Sequence, residues 1–414
     1  MADDIVLINV SGRDKPGLMS VLTGILAQHG AALLDMGQAV IHEDLALGIL
    51  VSVPVEASGE LVKDTMFEAN EVGSTVRISN VSQSEYQAWL EASGQTRYII
   101  TLLARGSGSE PLHAVSTLTR QFDLNIDTLR RLTDRGSAQT QQGKFCVEIR
   151  VRGQIDDMSA LESALMASAE VLNFDFSVQE DTVFRRNRRL VAFDMDSTLI
   201  RQEVIDELAV RHGVGDKVSA ITRDAMAGKI DFQESFRRRS ALLRGMPESV
   251  LEAVAGSVEL NSGARRLLRA LKYFGYKTAV ISGGFQYVGE HLARELSIDY
   301  VFANTLEVHD GRMTGAVSGA IVDAERKAAL LRETANREGI ALAQTIAIGD
   351  GANDLPMLSS AGLGVAFHAK RIVKESAGHA ISNFGLDAVL YLIGFSDRDI
   401  DQALSASEEA IPQC

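Results

Sequence analysis

Four short apolar runs, Leu190–Phe193, Thr278–Ile281, Thr345–Ile348 and Leu363–Phe367, most constrain what this chain can become. Each is apolar at odd and even positions alike, so both faces of the strand it forms must be buried. Helix-length segments lie between them. Alternating strands and helices of this kind predict an α/β fold: a doubly wound parallel sheet with helices on both faces. Ligands of such sheets bind beyond the carboxyl ends of the strands. Three of the runs lead directly into functional groups there: Asp194-Met195-Asp196-Ser197-Thr198, Ser282-Gly283-Gly284 and Gly349-Asp350-Gly351-Ala352-Asn353-Asp354. Between the first two runs, about Arg201–Leu260 reads as mainly helical. It is too long for a simple crossover and predicts a cap inserted over the site.

The chemistry of these groups converges on a phosphate. Asp194 and Asp196 are two apart, so on extended backbone their carboxylates share a side. Two adjacent carboxylates repel and call for a hard, oxygen-liganded cation such as Mg²⁺, with Asp350 as a further ligand. With phosphate charge neutralised, one carboxylate can attack phosphorus while the other acts as general acid and then base. The Ser282 hydroxyl and the N–H of Gly283 can hold phosphate oxygens. Lys327 can offset charge on phosphate and nucleophile, and Asn353 can donate to substrate. Singly, each signal has a blander reading: a helix cap, a βα turn, a solvated lysine, a calcium loop. The calcium loop fails because the remaining spaced ligands of an EF-hand are missing.

Taken together and in this order, the three strings and Lys327 resemble the haloacid dehalogenase-like phosphatases, and within them the phosphoserine phosphatases, over residues 188–385. The resemblance implies hydrolysis of O-phospho-L-serine through an aspartyl-phosphate, the last step of L-serine biosynthesis. It implies Asp194 as nucleophile, Asp196 as general acid/base, Lys327 as a catalytic and phosphate-binding group, and Mg²⁺ (or Mn²⁺) on Asp194, Asp196 and Asp350. It also implies substrate contacts from Glu203 (amine), Arg239 (carboxylate), Ser282, Gly283 and Asn353, with Phe232 and Met226 lining the pocket. A guanidinium grips a carboxylate through two bonds. Two other readings stay open: action on another phosphomonoester, phosphoprotein or acceptor, and an amino-acid sensor whose phosphatase domain is vestigial.

The first half has a different grammar. Ile5–Val10 reads as a strand, Ser11–Asp14 as a loop, and Pro16 as the first turn of a helix carrying Leu18, Val21, Leu22, Ile25 and Leu26. The order recurs after Thr96, with Pro16 and Pro111 lying 95 residues apart, and Phe145–Val151 closes the second sheet. The string Ser11-Gly12-Arg13-Asp14-Lys15-Pro16-Gly17-Leu18 resembles the ligand loop of ACT domains, which are α+β, ferredoxin-like modules. Tandem ACT-like modules ahead of such a phosphatase resemble the actinobacterial type. The resemblance implies a homodimer and an amino-acid effector such as L-serine at Asp14, Lys15, Pro16, Gly17 and Leu18, with a dimerisation module that binds no ligand as the open alternative. The second copy has Gly106-Ser107-Gly108-Ser109-Glu110-Pro111 in place of that string. The expected layout is ACT-like modules at 1–90 and 96–182, then a phosphatase domain at 183–400. Its core is 183–200 and 265–400, its cap about 201–264, and a flexible tail follows at 401–414.

Composition removes several classes. A formal net charge of −14 argues against non-specific nucleic-acid binding. No stretch offers the roughly 20 apolar residues of a membrane span. Two distant cysteines, Cys146 and Cys414, predict no disulfide framework and a cytoplasmic setting. The basic run Arg185–Arg189 reads as a solvated linker.

Overall fold

The computed structural model describes residues 3–134 and 143–409. Two compact units are present, Met1–Gln95 and Thr96–Cys414.

The first unit holds a four-stranded antiparallel sheet made of β1 (Asp4–Arg13), β2 (Ala32–Ile41), β3 (Asp44–Val53) and β4 (Thr75–Val81), in the order β2-β3-β1-β4. Period-2 patterning fixes its core face. Val6, Ile8 and Val10 of β1 and Leu47, Ile49 and Val51 of β3 are buried with Leu18, Leu22 and Leu61 of the helices Leu18–Gln28 and Val55–Glu71. Edge strand β2 is exposed along almost its whole length. A further helix, Gln83–Ser93, starts with a capping box between Ser82 and Glu85.

The second unit is built on one eleven-stranded sheet. Its first part comprises β5 (Arg97–Arg105), β6 (Asn125–Arg131), β7 (Lys144–Arg152) and β8 (Asp175–Glu180), with helices Ser109–Gln121 and Met158–Leu172. The remainder comprises β9 (Leu190–Phe193), β10 (Lys277–Phe285), β11 (Tyr300–His309), β12 (Arg312–Ser318), β13 (Thr345–Gly349), β14 (Leu363–Phe367) and β15 (Ala380–Ile381). The order is β12-β11-β10-β9-β13-β14-β15-β8-β5-β7-β6. The four apolar runs are thus parallel neighbours, β10-β9-β13-β14. Helices Val204–Arg211, Gly215–Met226, Phe232–Ala241 and Glu248–Ala255 form the insertion between β9 and β10.

Three features depart from the sequence reading. The α+β layer of β5–β8 joins the mostly parallel sheet of β9–β14 through antiparallel pairing of Ala380 with Phe176. The Asp175 carboxylate reinforces that seam, accepting from Ser382 N at 2.8 Å and Asn383 Nδ2 at 2.9 Å. The Arg185–Arg189 run is a solvated connector only in part, with Arg186, Asn187 and Arg189 exposed but Arg185 and Arg188 buried. Arg185 is buried against Glu148, and Arg188 donates to Thr345 O at 3.0 Å and Gln179 Oε1 at 3.2 Å. These arginines lie where the layer meets the core, so their charges answer carboxylates and carbonyls that the sheet leaves unpaired. Nor is the stretch after Ile400 a loose tail as far as it is described. Asp397–Glu409 is a helix with Ile400 and Ala403 buried, and residues 410–414 lie outside the described residues.

A hairpin absent from the sequence reading, β11–β12, turns at Asp310-Gly311 with φ of 49° and 71°. Asp-Gly between alternating residues is the strongest short hairpin signal, so this one was readable. Among the described residues no helix is long and apolar enough to cross a membrane.

Candidate active site

Strand β9 is buried at all four positions and delivers Asp194 to the carboxyl edge of the sheet. The Asp194 N–H donates to Ile348 O of β13 at 2.8 Å, so the residue after the strand is still held by the ladder. The backbone then kinks, with Ser197 at φ +58°. Helix Ala324–Arg337 brings Lys327 beneath this loop, and Asp323 caps that helix by accepting from Arg326 N at 3.0 Å.

Lys327 is fully buried. Its Nζ donates to Asp194 Oδ1 at 2.7 Å and to Asp354 Oδ1 at 2.6 Å. Burial opposes the ammonium charge, but the Asp194 and Asp354 carboxylates outweigh it and hold Lys327 above its ordinary value. The turn Ala352–Asp354 folds Asp354 back so that its Oδ2 accepts from Gly351 N at 3.0 Å. A side chain at Gly349 would collide with that carboxylate, which is why the strand must end in glycine here.

Carboxylates exceed the one lysine. Burial and the nearby Asp354 push Asp194 up to about 7, against the pull of Lys327. Burial, Asp354 and Glu203 push Asp350 up to about 6. Asp350 Oδ1 accepts from Thr198 Oγ1 at 3.1 Å. Oxygens of Asp194, Asp350 and Asp354 lie within 4.8 Å of one another. Such a buried, oxygen-only, electron-rich cluster suits a hard divalent cation.

The sequence reading named Asp194, Asp196 and Asp350 as cation ligands. Of these, Asp194 and Asp350 bring their carboxylates together with that of Asp354, while the Asp196 side chain has other neighbours. Its Oδ1 faces Val204 N at 3.4 Å, and a Cβ on Gly284 would come within 2.7 Å of its Oδ2. Burial, then Glu203 and Asp194, raise Asp196 well above the usual carboxylate range.

Ser282 is buried, and its Oγ accepts from Gly284 N at 2.9 Å. Ser282-Gly283-Gly284 belongs to strand β10 rather than to a turn. Phe232 of the cap lies over Gly283, where a Cβ would approach its ring to 2.9 Å. Phe232 stacks in turn on Phe236. Glu203 accepts from Ser197 Oγ at 2.7 Å. Arg239, on helix Phe232–Ala241, has a buried Nε with no hydrogen-bond partner. Burial lowers Arg239 while Asp206, Glu203 and Asp196 support its charge. Asn353 is half-buried on the Asp354 turn. Met226 is 68% exposed and does not line a closed pocket. The loop Asp14–Leu18 belongs to the first unit and is exposed up to Leu18, which is buried.

The profile of the haloacid dehalogenase-like hydrolases matches residues 191–359, and that of the ACT domain matches residues 4–79. Phosphoserine phosphatase SerB2 of Mycobacterium tuberculosis is 40% identical over 400 residues, covering 96% of this chain and 95% of that protein. The chain belongs to the phosphoserine phosphatase family of haloacid dehalogenase-like hydrolases. The phosphoserine phosphatase of Streptomyces coelicolor is 37% identical, covering 98% of this chain and 95% of its own length. Among solved structures, a HAD family hydrolase from Salmonella enterica serovar Typhi superposes with a TM-score of 0.61 at 32% identity, over 72% of this chain and 99% of that one.

Three further residues shape this phosphatase site, and the sequence alone pointed to none of them. Buried Asn304 donates to Gly283 O at 2.9 Å and accepts from Val322 N at 2.8 Å. Gln233 of the cap donates to Asp323 Oδ2 at 2.6 Å, tying the cap to the helix that carries Lys327. Asn261 gathers carbonyls of the loop after Asp196. Asn304 and Asn261 stand apart from the motifs and Gln233 lies inside the cap segment between Phe232 and Arg239, and in each case only folding shows which partner the side chain meets.

Proposed function

We infer that this chain hydrolyses O-phospho-L-serine to L-serine and phosphate, the last step of L-serine biosynthesis. The observation that carries the reading is the buried ammonium of Lys327 bridging Asp194 and Asp354 beside Asp350.

In this reading an Asp194 carboxylate oxygen attacks phosphorus in line with the serine Oγ. The P–O bond to serine breaks, and Asp196 gives its proton to the departing alkoxide. The elevated proton affinity of Asp196 supports that role, since an acid must hold its proton until the leaving group needs it. Asp196 then takes a proton from water, whose oxygen attacks the aspartyl-phosphate. The Asp194 carboxylate is released with inorganic phosphate. Lys327 holds Asp194 in its attacking position and offsets charge throughout. The Ser282 hydroxyl, the Gly283 N–H and the Asn353 side chain hold the phosphate oxygens.

Mg²⁺, which Mn²⁺ could replace, would sit on Asp194 and Asp350, with Asp354 and the Asp196 segment adjoining. Bound there, it supplies Lewis-acid neutralisation of the phosphate. Specificity comes from the cap. Glu203 takes the substrate ammonium and Arg239 its carboxylate, a role that the unpartnered Arg239 Nε supports. The ACT unit is a small-molecule sensor, and L-serine at Asp14–Leu18 is the effector that its exposed loop at a helix N-terminus would suit. A homodimer through these units fits the exposed edge of β2.

The test is phosphate release from phosphoserine, phosphoethanolamine and other phosphorylated metabolites, with and without Mg²⁺. Phosphoserine should be preferred, and Asp194→Asn should lower turnover by about 10³-fold or more with the fold intact. Substantial turnover by that variant would overturn the mechanism. Equal efficiency on phosphoethanolamine would overturn Arg239 as selector.

A further inference from the structure

The chain crosses between core and cap twice, and the crossings are stitched to each other. On the outgoing side lie residues 199–203, and on the returning side 258–263. Arg201 N donates to Glu259 O at 2.9 Å, and Asn261 N donates to Leu199 O at 3.0 Å. Glu259 N donates to Gln202 Oε1 at 2.9 Å. Ile200 and Leu260 form an antiparallel bridge. The two crossings therefore make one short ribbon, and a cap movement must bend both together.

This ribbon is fixed at its core end. Leu386 N donates to Ser262 O at 2.7 Å. Gly263, at φ +80°, packs so closely on Asp387 that a Cβ there would overlap the carboxylate. Bending is thus confined to the few residues before Ser262.

Asn261 stands at that point and faces the catalytic loop. Its Nδ2 lies 2.8 Å from Thr198 O and 3.1 Å from both Ser197 O and Ile200 O. Two amide hydrogens serve three carbonyls, so the group sits at the centre of the loop rather than at one side of it. Ser197 follows Asp196 directly, in the left-handed region. Thr198 holds Asp350 through its hydroxyl. Orienting the Ser197 and Thr198 peptides therefore bears on the carboxylates of Asp196, which precedes them, and of Asp350, which Thr198 holds.

We propose that Asn261 is a positioning residue that couples closure of the cap to the geometry of the Asp194–Asp196 loop. Substrate groups gathered by the cap bend the ribbon, and the Asn261 amide carries that bend to the peptides after Asp196. Binding energy from the serine part of the substrate is thereby spent on the reacting centre. The proposal rests on the phosphatase reading above, and the Asn261 amide acts through the loop carbonyls that it holds.

The test uses the full chain with Mg²⁺. Asn261→Leu keeps a similar volume and removes both donors, and Asn261→Ser keeps one hydroxyl donor. Intact sites are counted by stoichiometric binding of beryllium fluoride, a mimic of the aspartyl-phosphate. Per intact site, Asn261→Leu should lower kcat on phosphoserine by about 30- to 100-fold, with KM within about threefold. Asn261→Ser should fall between it and the parent chain, and it supplies the same comparison if the leucine variant does not fold. A purely structural role would reduce the number of intact sites and the melting temperature while leaving kcat per site unchanged. Turnover per site within about twofold of the parent in the folded variants would overturn the proposal. If the parent chain itself did not hydrolyse phosphoserine, the functional reading would fail instead.

Discussion

The two α+β layers of this chain share one topology and have opposite fates. Strands β1–β4 order themselves β2-β3-β1-β4, and β5–β8 repeat the pattern as β6-β7-β5-β8. In the first layer β4 ends the sheet. In the second, β8 pairs onward with β15, and Leu103, Leu132 and Cys146 join the same buried cluster as Val191, Phe193 and Tyr391. Their loops differ in the same sense. Nothing lies within 4 Å of where a Gly17 Cβ would sit, whereas a Cβ on Gly108 would overlap the Phe145 ring. One loop has open space beside its glycine and the other is filled by its own packing. The same topology stands as a separate unit in one copy and as an extension of the larger sheet in the other.

The sharpest way to break this comparison is deletion. Removing residues 1–95 should leave a soluble enzyme with kcat on phosphoserine within about threefold of the full chain. Removing residues 1–182 uncovers the β15 edge and the apolar patch around Tyr391. Thermal melting should then drop by about 10 °C or more, with aggregation. Equal behaviour of the two truncations would refute the division of roles.

Next in size are the charges at the seam. Glu148→Gln leaves Arg185 buried without its carboxylate and should cost about 3–5 kcal/mol in denaturant unfolding. Paired replacement by Arg185→Met and Glu148→Leu should recover most of it. The counterpart in the first unit, Arg13–Glu43, has side chains 68% and 54% exposed, so Glu43→Gln should barely move the midpoint.

Acid should also act on the seam. His379 directly precedes β15. Burial and then Arg188 lower it to about 4, against an ordinary value of 6.5. The unfolded chain therefore takes up a proton below pH 6.5 that the folded chain refuses until about pH 4. Stability tied to neutral His379 is fully present above pH 6.5 and lost as pH falls toward 4, by about 3 kcal/mol. Melting scans of His379→Gln should show a flatter pH dependence across that window.

The smallest effect concerns the open loop. Millimolar L-serine should give binding heat with the full chain and raise its melting temperature by a few degrees at most. Gly17→Val should abolish the heat, since φ of +100° strains any side chain there. Heat that survives this change and vanishes with Gly108→Ala would reverse the roles given to the two loops.

Much of the catalytic half was legible because its signals are local. Buried parallel strands need unbroken apolar runs, and Leu190–Phe193 and Leu363–Phe367 match their strands end to end. Functional groups placed just past those runs had to meet in one crevice. The hairpin at Asp310-Gly311 carries a turn signal that is equally local. The fate of the basic run at Arg185 could not be read, because a charge looks the same in sequence whether solvated or buried.

By itself, then, the sequence determined the α/β class, the repeated α+β layers and the placing of Asp194, Asp196 and Asp350 just past buried strands, since periodicity and strand-end chemistry depend on near neighbours. Only the tertiary structure decided that the second layer extends the catalytic sheet and that the Asp194, Asp350 and Asp354 carboxylates gather while that of Asp196 faces Val204 N. It alone showed that Asn261 grips the loop after Asp196. Those outcomes depend on which distant edges pair and where a turn aims its side chain, and no local pattern encodes them.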